Sequence, residues 1–136
     1  MNKPDPIARE LVLIGGGHSH IIVLRTLGMN PIPGLQITLV SPSKRTAYSG
    51  MLPGMISGHY EADEIHIDLV PLCRFAKARF IEAKVGSIDP VMQMVGPEGR
   101  PNLSYDVLSI DIGSAPSLKV KGALGNVIPV KPINEF

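Results

Sequence analysis

The residues in this sequence best suited to chemistry form one run, Gly15-Gly16-Gly17-His18-Ser19-His20. Leu11-Val12-Leu13-Ile14 precede it, four apolar residues that read as a buried parallel strand. Ile21, Leu24 and Leu27 follow at helical spacing, with Val23 four residues before Leu27. Strand, glycine turn and helix together make a phosphate site. The first N–H groups of a helix have no partner inside it and face any anion beyond its end. The helix dipole adds about half a positive charge there. Gly15 suits the sharp turn, and Gly17, having no Cβ, lets a diphosphate approach the backbone. The dinucleotide pattern Gly-x-Gly-x-x-Gly is met at Gly15 and Gly17, but its third position is His20. That glycine normally permits close helix–strand packing, so His20 implies a wider crossing or a side chain turned aside. The alternative is a strand–turn–helix that binds nothing.

The elements that must position this run are short. The 136 residues include thirteen prolines and fourteen glycines, which break the chain into pieces and argue against a helical bundle. Residues 1–9 read as a lead-in, the first strand as about 10–14 and the first helix as about 17–28. Arg25 lies toward the helix C-terminus and Gly28 is a candidate C-cap, with Pro31, Pro33 and Gly34 beyond. Leu35-Gln36-Ile37-Thr38-Leu39-Val40 reads as a second strand, parallel to the first through a right-handed crossover. Ser41 ends it, 21 residues after His20, where a dinucleotide fold usually carries a ribose-binding Asp or Glu. Serine still donates and accepts one hydrogen bond, and Lys44 and Arg45 follow as phosphate-reaching or merely solvated cations.

Tyr48-Ser49-Gly50-Met51-Leu52-Pro53-Gly54-Met55-Ile56-Ser57-Gly58 is apolar and glycine-rich for a connection. Pro53 can open a short helix and Gly58 can end it. The stretch reads as a segment over a flat apolar ligand or as a packed connecting helix. Glu61 to Ile67 reads as extended, and Asp68 with Pro71 opens a helix through Leu72, Phe75 and Ala76. From Arg79 onward, short strands between Pro and Gly read as an antiparallel meander. Its last run, Tyr105 to Ile112, is placed to return beside the first strand.

Composition excludes several functions. Apolar residues are 44% and net charge is +1, which fits one domain with a buried core. No basic stripe interleaved with aromatics supports nucleic-acid binding. Cys73 is the sole cysteine, so an internal disulfide and a CxxC motif are ruled out. Met1 to Glu10 is polar and not a signal peptide. No apolar run approaches the ~18 residues of a membrane span, and a cytoplasmic setting is expected. No metal site is expected, because His18 and His20 diverge on a helix and His59 and His66 lie in separate pieces.

Several stretches in one order resemble a known family. They are Gly15 to His20, Tyr48-Ser49-Gly50-Met51-Leu52-Pro53-Gly54, Val85 with Ile88-Asp89-Pro90, and Tyr105-Asp106 to Asp111-Ile112-Gly113-Ser114. This order is similar to the flavin domain of the pyridine nucleotide–disulfide oxidoreductases, in the branch of type II NADH dehydrogenases and sulfide:quinone oxidoreductases. The wording of the first two stretches resembles the oxidoreductase found fused ahead of selenide, water dikinase. The likeness covers about residues 10–136, the first third or so of such an enzyme.

The resemblance implies an α/β fold, a partial Rossmann-like FAD-binding domain whose parallel sheet carries an antiparallel β-meander. Residues 10–114 would be its first half, and 115–136 a crossover toward an NAD(P)H domain inserted next. It implies that Gly15, Gly17, His18 and Ser19 hold the FAD diphosphate. Ser41 stands at the ribose position, and Pro42 and Lys44 lie near the adenosine. Tyr48, Ser49, Leu52 and Pro53 line the isoalloxazine side, and Val85 meets the adenine through its backbone. Asp111 to Gly113 matches the family's Ala-Thr-Gly near the flavin, with Asp111-Ile112 departing from it.

Because Cys73 alone cannot form a redox pair, the chemistry implied is direct hydride transfer from NAD(P)H to flavin and on to an acceptor. The chain alone would lack the nicotinamide site and be inactive. One rival is an NAD-binding Rossmann domain, which needs a second strand–helix repeat after the second strand. Another is a non-catalytic nucleotide-binding module attached to selenide, water dikinase. The implied partner is a small-molecule cofactor. A truncated parallel sheet, bare on one face or edge, also favours a homodimer.

Overall fold

In the computed structural model, residues 6–128 and residue 131 are described. The expected lead-in at 1–5 and the tail at 129–130 and 132–136 lie outside the described residues. The chain forms two compact units. One comprises residues through Arg45 together with Asp68–Ile112, the other Thr46–Ile67 with the residues from Gly113 onward.

The first unit is built on a four-stranded parallel sheet. Its strands are β1 (Arg9–Ile14), β2 (Leu35–Ser41), β5 (Arg79–Glu82) and β9 (Val107–Ile110), in the order β5-β2-β1-β9. Leu11 pairs with Ile37 on one side and Val107 on the other, so β1 is central. Helix α1 (His18–Met29) joins β1 to β2, and α3 (Leu69–Phe75) precedes β5. Asp68 caps α3 by accepting from the Val70 N–H at 3.1 Å.

Alternation along β1 sends side chains to opposite faces. Leu13 joins Leu24 of α1, Ile37, Leu39, and Leu69, Cys73 and Ala76 of α3 or its end, in one core. Val12 and Ile14 join Val40 and Val95 in another. Val95 belongs to a three-stranded antiparallel meander, β6 (Val85–Asp89), β7 (Met94–Pro97) and β8 (Leu103–Ser104). Thus helices cover one face of the sheet and the meander the other. Full burial of each such side chain is worth about 1.5–3 kcal/mol.

The second unit holds a 3-10 turn at Ser49–Met51 and the short helix α2 (Leu52–Ile56), opened by Pro53 as expected. Gly58, at φ +77°, ends it. β3 (Arg45–Ala47) and β4 (His66–Asp68) form a two-stranded ladder. No helix among the described residues is long and apolar enough to cross a membrane.

Several expectations are corrected. β5 pairs in parallel with β2 rather than joining the meander, because Phe80 has a place in the helix-covered core. Together β2, α3 and β5 supply the second strand–helix–strand repeat that the sequence had hidden among prolines. Gly28 is not a C-cap. It sits inside α1, where a methyl group would overlap the Phe75 ring, and the cap is Asn30. With the helix extended to Met29, its last turn carries no basic residue and Arg25 lies further in. Of Glu61 to Ile67, expected to be extended, only His66 and Ile67 lie in a strand, which runs on to Asp68. Neither face of the parallel sheet is bare.

Candidate functional site

The glycine run leaves the carboxyl end of β1, where open α/β sheets bind ligands. The Gly15 N–H donates to Val40 O at 2.8 Å, and the Asp111 N–H donates to Ile14 O at 2.8 Å, so the turn is gripped from both neighbouring strands. Gly15 has φ +94°, and a side chain there would run into the backbone carbonyl of Asp111. This is the position in the turn that demands glycine. A methyl group on Gly16 would meet the Leu69 side chain and come within 3.4 Å of the Ser41 Oγ. Gly17 is the N-cap of α1, with extended backbone and no side chain to cap the helix.

The cap comes from elsewhere. Asp111 Oδ2 accepts from the Ser19 N–H at 3.0 Å, and Asp111 O accepts from the Gly17 N–H at 3.2 Å. A methyl group on Gly17 would overlap that carboxylate. An N-cap side chain normally satisfies the second or third helical N–H. Here a residue 92 positions away does so.

His20 is 1% exposed, so its side chain is turned inward, one of the two outcomes its place in the motif implied. Its Nδ1 lies 2.7 Å from Gly15 O, and its Nε2 lies 2.9 Å from Ser109 Oγ. A carbonyl only accepts, so Nδ1 carries a proton. The imidazole therefore ties the glycine turn and α1 to β9, where a third glycine would have let helix and strand simply pack closer.

The remaining expected residues divide between the units. In the first, Gly15, Gly17 and Ser19 meet at the end of β1, and Ser41 lies beside Gly16. Ser41 is buried, and its hydroxyl donates to Ser43 O at 3.0 Å. His18 and Pro42 are exposed. Lys44 pairs with Glu82 at 3.2 Å, and its carbonyl accepts from the Leu69 N–H at 2.8 Å. Val85 opens β6 and packs against the meander-covered core. In the second unit, Tyr48 donates its backbone N–H to Ile65 O at 2.7 Å. Ser49 starts the 3-10 turn, Leu52 is buried, Pro53 is exposed and Gly113 has φ +77°.

Cys73 and Asp106 are displaced from their ordinary values. Burial pushes the Cys73 thiol up to about 11, which makes it a small apolar core residue rather than a nucleophile. Asp106 is held below the ordinary 3.8 by the Glu10 backbone N–H and by Arg9. Those contacts measure 2.7 and 3.0 Å.

No family model matches the chain. The sulfide-quinone reductase of Aquifex aeolicus is 32% identical to it over 107 residues, which is 79% of this chain and 25% of that protein. The crystal structure of the Aquifex aeolicus sulfide:quinone oxidoreductase superposes with a TM-score of 0.69, covering 82% of this chain and 25% of that one. In sequence and in fold the chain is thus similar to one quarter of an FAD-dependent oxidoreductase. A pyridine nucleotide–disulfide family oxidoreductase from Enterococcus faecalis V583, 22% identical, shares the fold at a TM-score of 0.53 over 84% of this chain and 25% of its own. NDH2 from Plasmodium falciparum, solved in complex with NADH, shares it at 0.67 and 16% identity, over 83% of this chain and 24% of its own. The chain thus spans about a quarter of the length of the curated relative it matches.

By its own geometry the site suits a dinucleotide diphosphate. The turn at Gly15, the bare N-cap at Gly17 and the buried hydroxyl of Ser41 beside Gly16 are the parts such a cradle needs. One group is foreign to it, the Asp111 carboxylate on the helix end. The part played by Ser109 and Asp111 was hidden in the sequence. The available signal was a helix whose N-cap is glycine, with no Ser, Thr, Asp or Asn to supply the missing acceptor.

Proposed function

We propose that this chain is the FAD-binding part of an NAD(P)H-dependent flavin oxidoreductase that passes a hydride from NAD(P)H through FAD to an acceptor. The carrying observation is the Gly15–Gly17 turn at the carboxyl end of central β1, opening on α1 between β2 and β9. The diphosphate would lie against Gly15, Gly17, His18 and Ser19, with Ser41, Pro42, Lys44 and Val85 toward the adenosine. Tyr48, Ser49, Leu52, Pro53 and Gly113 would serve the isoalloxazine side. When bound, the flavin supplies the hydride chemistry, and the protein contributes binding and orientation. Residues 10–114 form the cofactor-binding part in this reading, and 115–136 lead toward a nicotinamide domain.

A nicotinamide-binding Rossmann domain is the second reading. The repeat through α3 favours it, since β1-α1-β2-α3-β5 is a mononucleotide-binding half. The meander favours FAD, because a doubly wound nicotinamide domain has helices on both sheet faces and this sheet has them on one.

The test is to incubate the purified protein with excess FAD and, separately, NADH, remove free ligand, and identify what denaturation releases. FAD, seen by its visible absorbance, is expected. Release of NADH alone overturns the reading in favour of the second. The same preparation is expected to give no NADH-driven dye reduction, and turnover would overturn that part. Self-association through β9, whose Val107 and Ile110 are more than half exposed, is also expected. A monomer at every concentration by light scattering overturns it.

A further inference from the structure

We infer that Asp111 acts as a built-in stand-in for the cofactor diphosphate: it caps α1 while the site is empty and must leave for FAD to bind. The inference rests on the FAD reading above. Its basis is where one carboxylate lies. Asp111 Oδ2 takes the Ser19 N–H, the group a diphosphate oxygen would take, and the carboxylate occupies the space that the missing Cβ of Gly17 leaves open. A carboxylate and a phosphate are both anions seeking the same N–H groups and the same positive dipole end. They cannot both hold that end.

The backbone around Asp111 is held by contacts separate from the one its side chain makes to Ser19. Its N–H is bound to Ile14 O, its carbonyl takes the Gly17 N–H, and the next ladder pair inward is Ile14 with Ile110. Displacement therefore asks for a rotation about the Asp111 side-chain bonds, with β9 and the glycine turn unmoved. The residue is half-buried with exposed Ile112 following it, so the released carboxylate has water to turn toward. Asp111 is a specificity-determining residue on this account. It sets how much of the diphosphate's binding energy is spent in evicting an internal anion.

The test compares wild type with Asp111→Asn, which keeps an oxygen acceptor for Ser19 but removes the charge. Ligand-stripped proteins are titrated with FAD, ADP and riboflavin by fluorescence and calorimetry, and melted without ligand. Asp111→Asn is expected to bind FAD and ADP about tenfold more tightly, to leave riboflavin unchanged, and to melt a few degrees lower when empty. Equal or weaker FAD binding by Asp111→Asn, with wild type still binding, overturns the inference and leaves the FAD reading standing. No FAD binding by either protein overturns both. An unchanged melting temperature without ligand overturns the part of the cap assigned to the charge. Should Asp111→Asn fail to fold, Asp111→Thr carries the same expectations, since its hydroxyl can also accept from a helix N–H without charge.

Discussion

Strand β9 is bracketed by two aspartates, and its ends treat them differently. At the amino end, Asp106 takes the Glu10 N–H at 2.7 Å and pairs with Arg9 at 3.0 Å, while Glu10 pairs with Arg79 at 2.9 Å. At the carboxyl end, Asp111 lies on the N-terminus of α1 beside a turn of three glycines. Both carboxylates accept a backbone N–H. The first has a side-chain cation of its own and staples β9 to β1 in register. The second is held by a helix end that any anion of the right size can claim. A carboxylate with a dedicated cation is architecture, whereas one resting on bare helix N–H groups in a glycine-lined turn marks a place that a ligand can take.

Substitutions can break or sharpen that contrast. The largest effect is expected at the carboxyl end from Gly15→Ala. It combines a positive φ with overlap onto the Asp111 backbone and should cost at least about 2 kcal/mol in denaturant unfolding. A loss within experimental error would mean the turn is not gripped as described. Next comes His20→Ala, which leaves the buried Gly15 carbonyl without its donor and should cost about 2 kcal/mol. Ser109→Ala removes one of the same bonds and should cost less. Equal losses would show that the link to β9 carries the whole effect.

Cys73 belongs to neither end and serves as a control. Cys73→Ala should cost about 1 kcal/mol and leave FAD binding unchanged. Because its folded value of about 11 lies above its ordinary 9.0, the thiol stays protonated longer in the folded protein. Its contribution is full below pH 9.0 and lost as pH rises toward 11. Alkaline melts of wild type should therefore fall over that window relative to Cys73→Ala. The smallest effect is expected from Asp106→Asn, on an exposed pair. Its folded value is lowered, so its contribution is present above the ordinary 3.8 and disappears as pH falls below it. Melts of the variant and wild type should converge in acid, and divergence there would remove Asp106 from the staple.

Much of this was legible in order along the chain. β1, the glycine turn, α1 and β2 announce themselves because each is specified by neighbours a few residues apart, through period, turn chemistry and capping. The antiparallel meander and the cap at Asp68 were legible for the same reason. What misled was context. Arg79-Phe80-Ile81-Glu82 has strand composition in either sheet, and only the pocket for Phe80 beside α3 assigned it to the parallel one. Gly28 looked like a helix end because glycine usually is, while here it makes room for the Phe75 ring.

The sequence by itself determined that a bare helix start follows a buried strand, because local backbone rules need nothing beyond the run from Leu11 to Leu27. It also determined that these 136 residues hold a single cysteine and so no cysteine pair among themselves. Only the tertiary structure decided what those glycines face. Ser109 and Asp111 reach His20 and Ser19 across 89 and 92 residues, and no local pattern encodes a contact made by folding β9 back beside β1. Whether a helix N-terminus stands empty or already holds an anion is set by that long-range pairing.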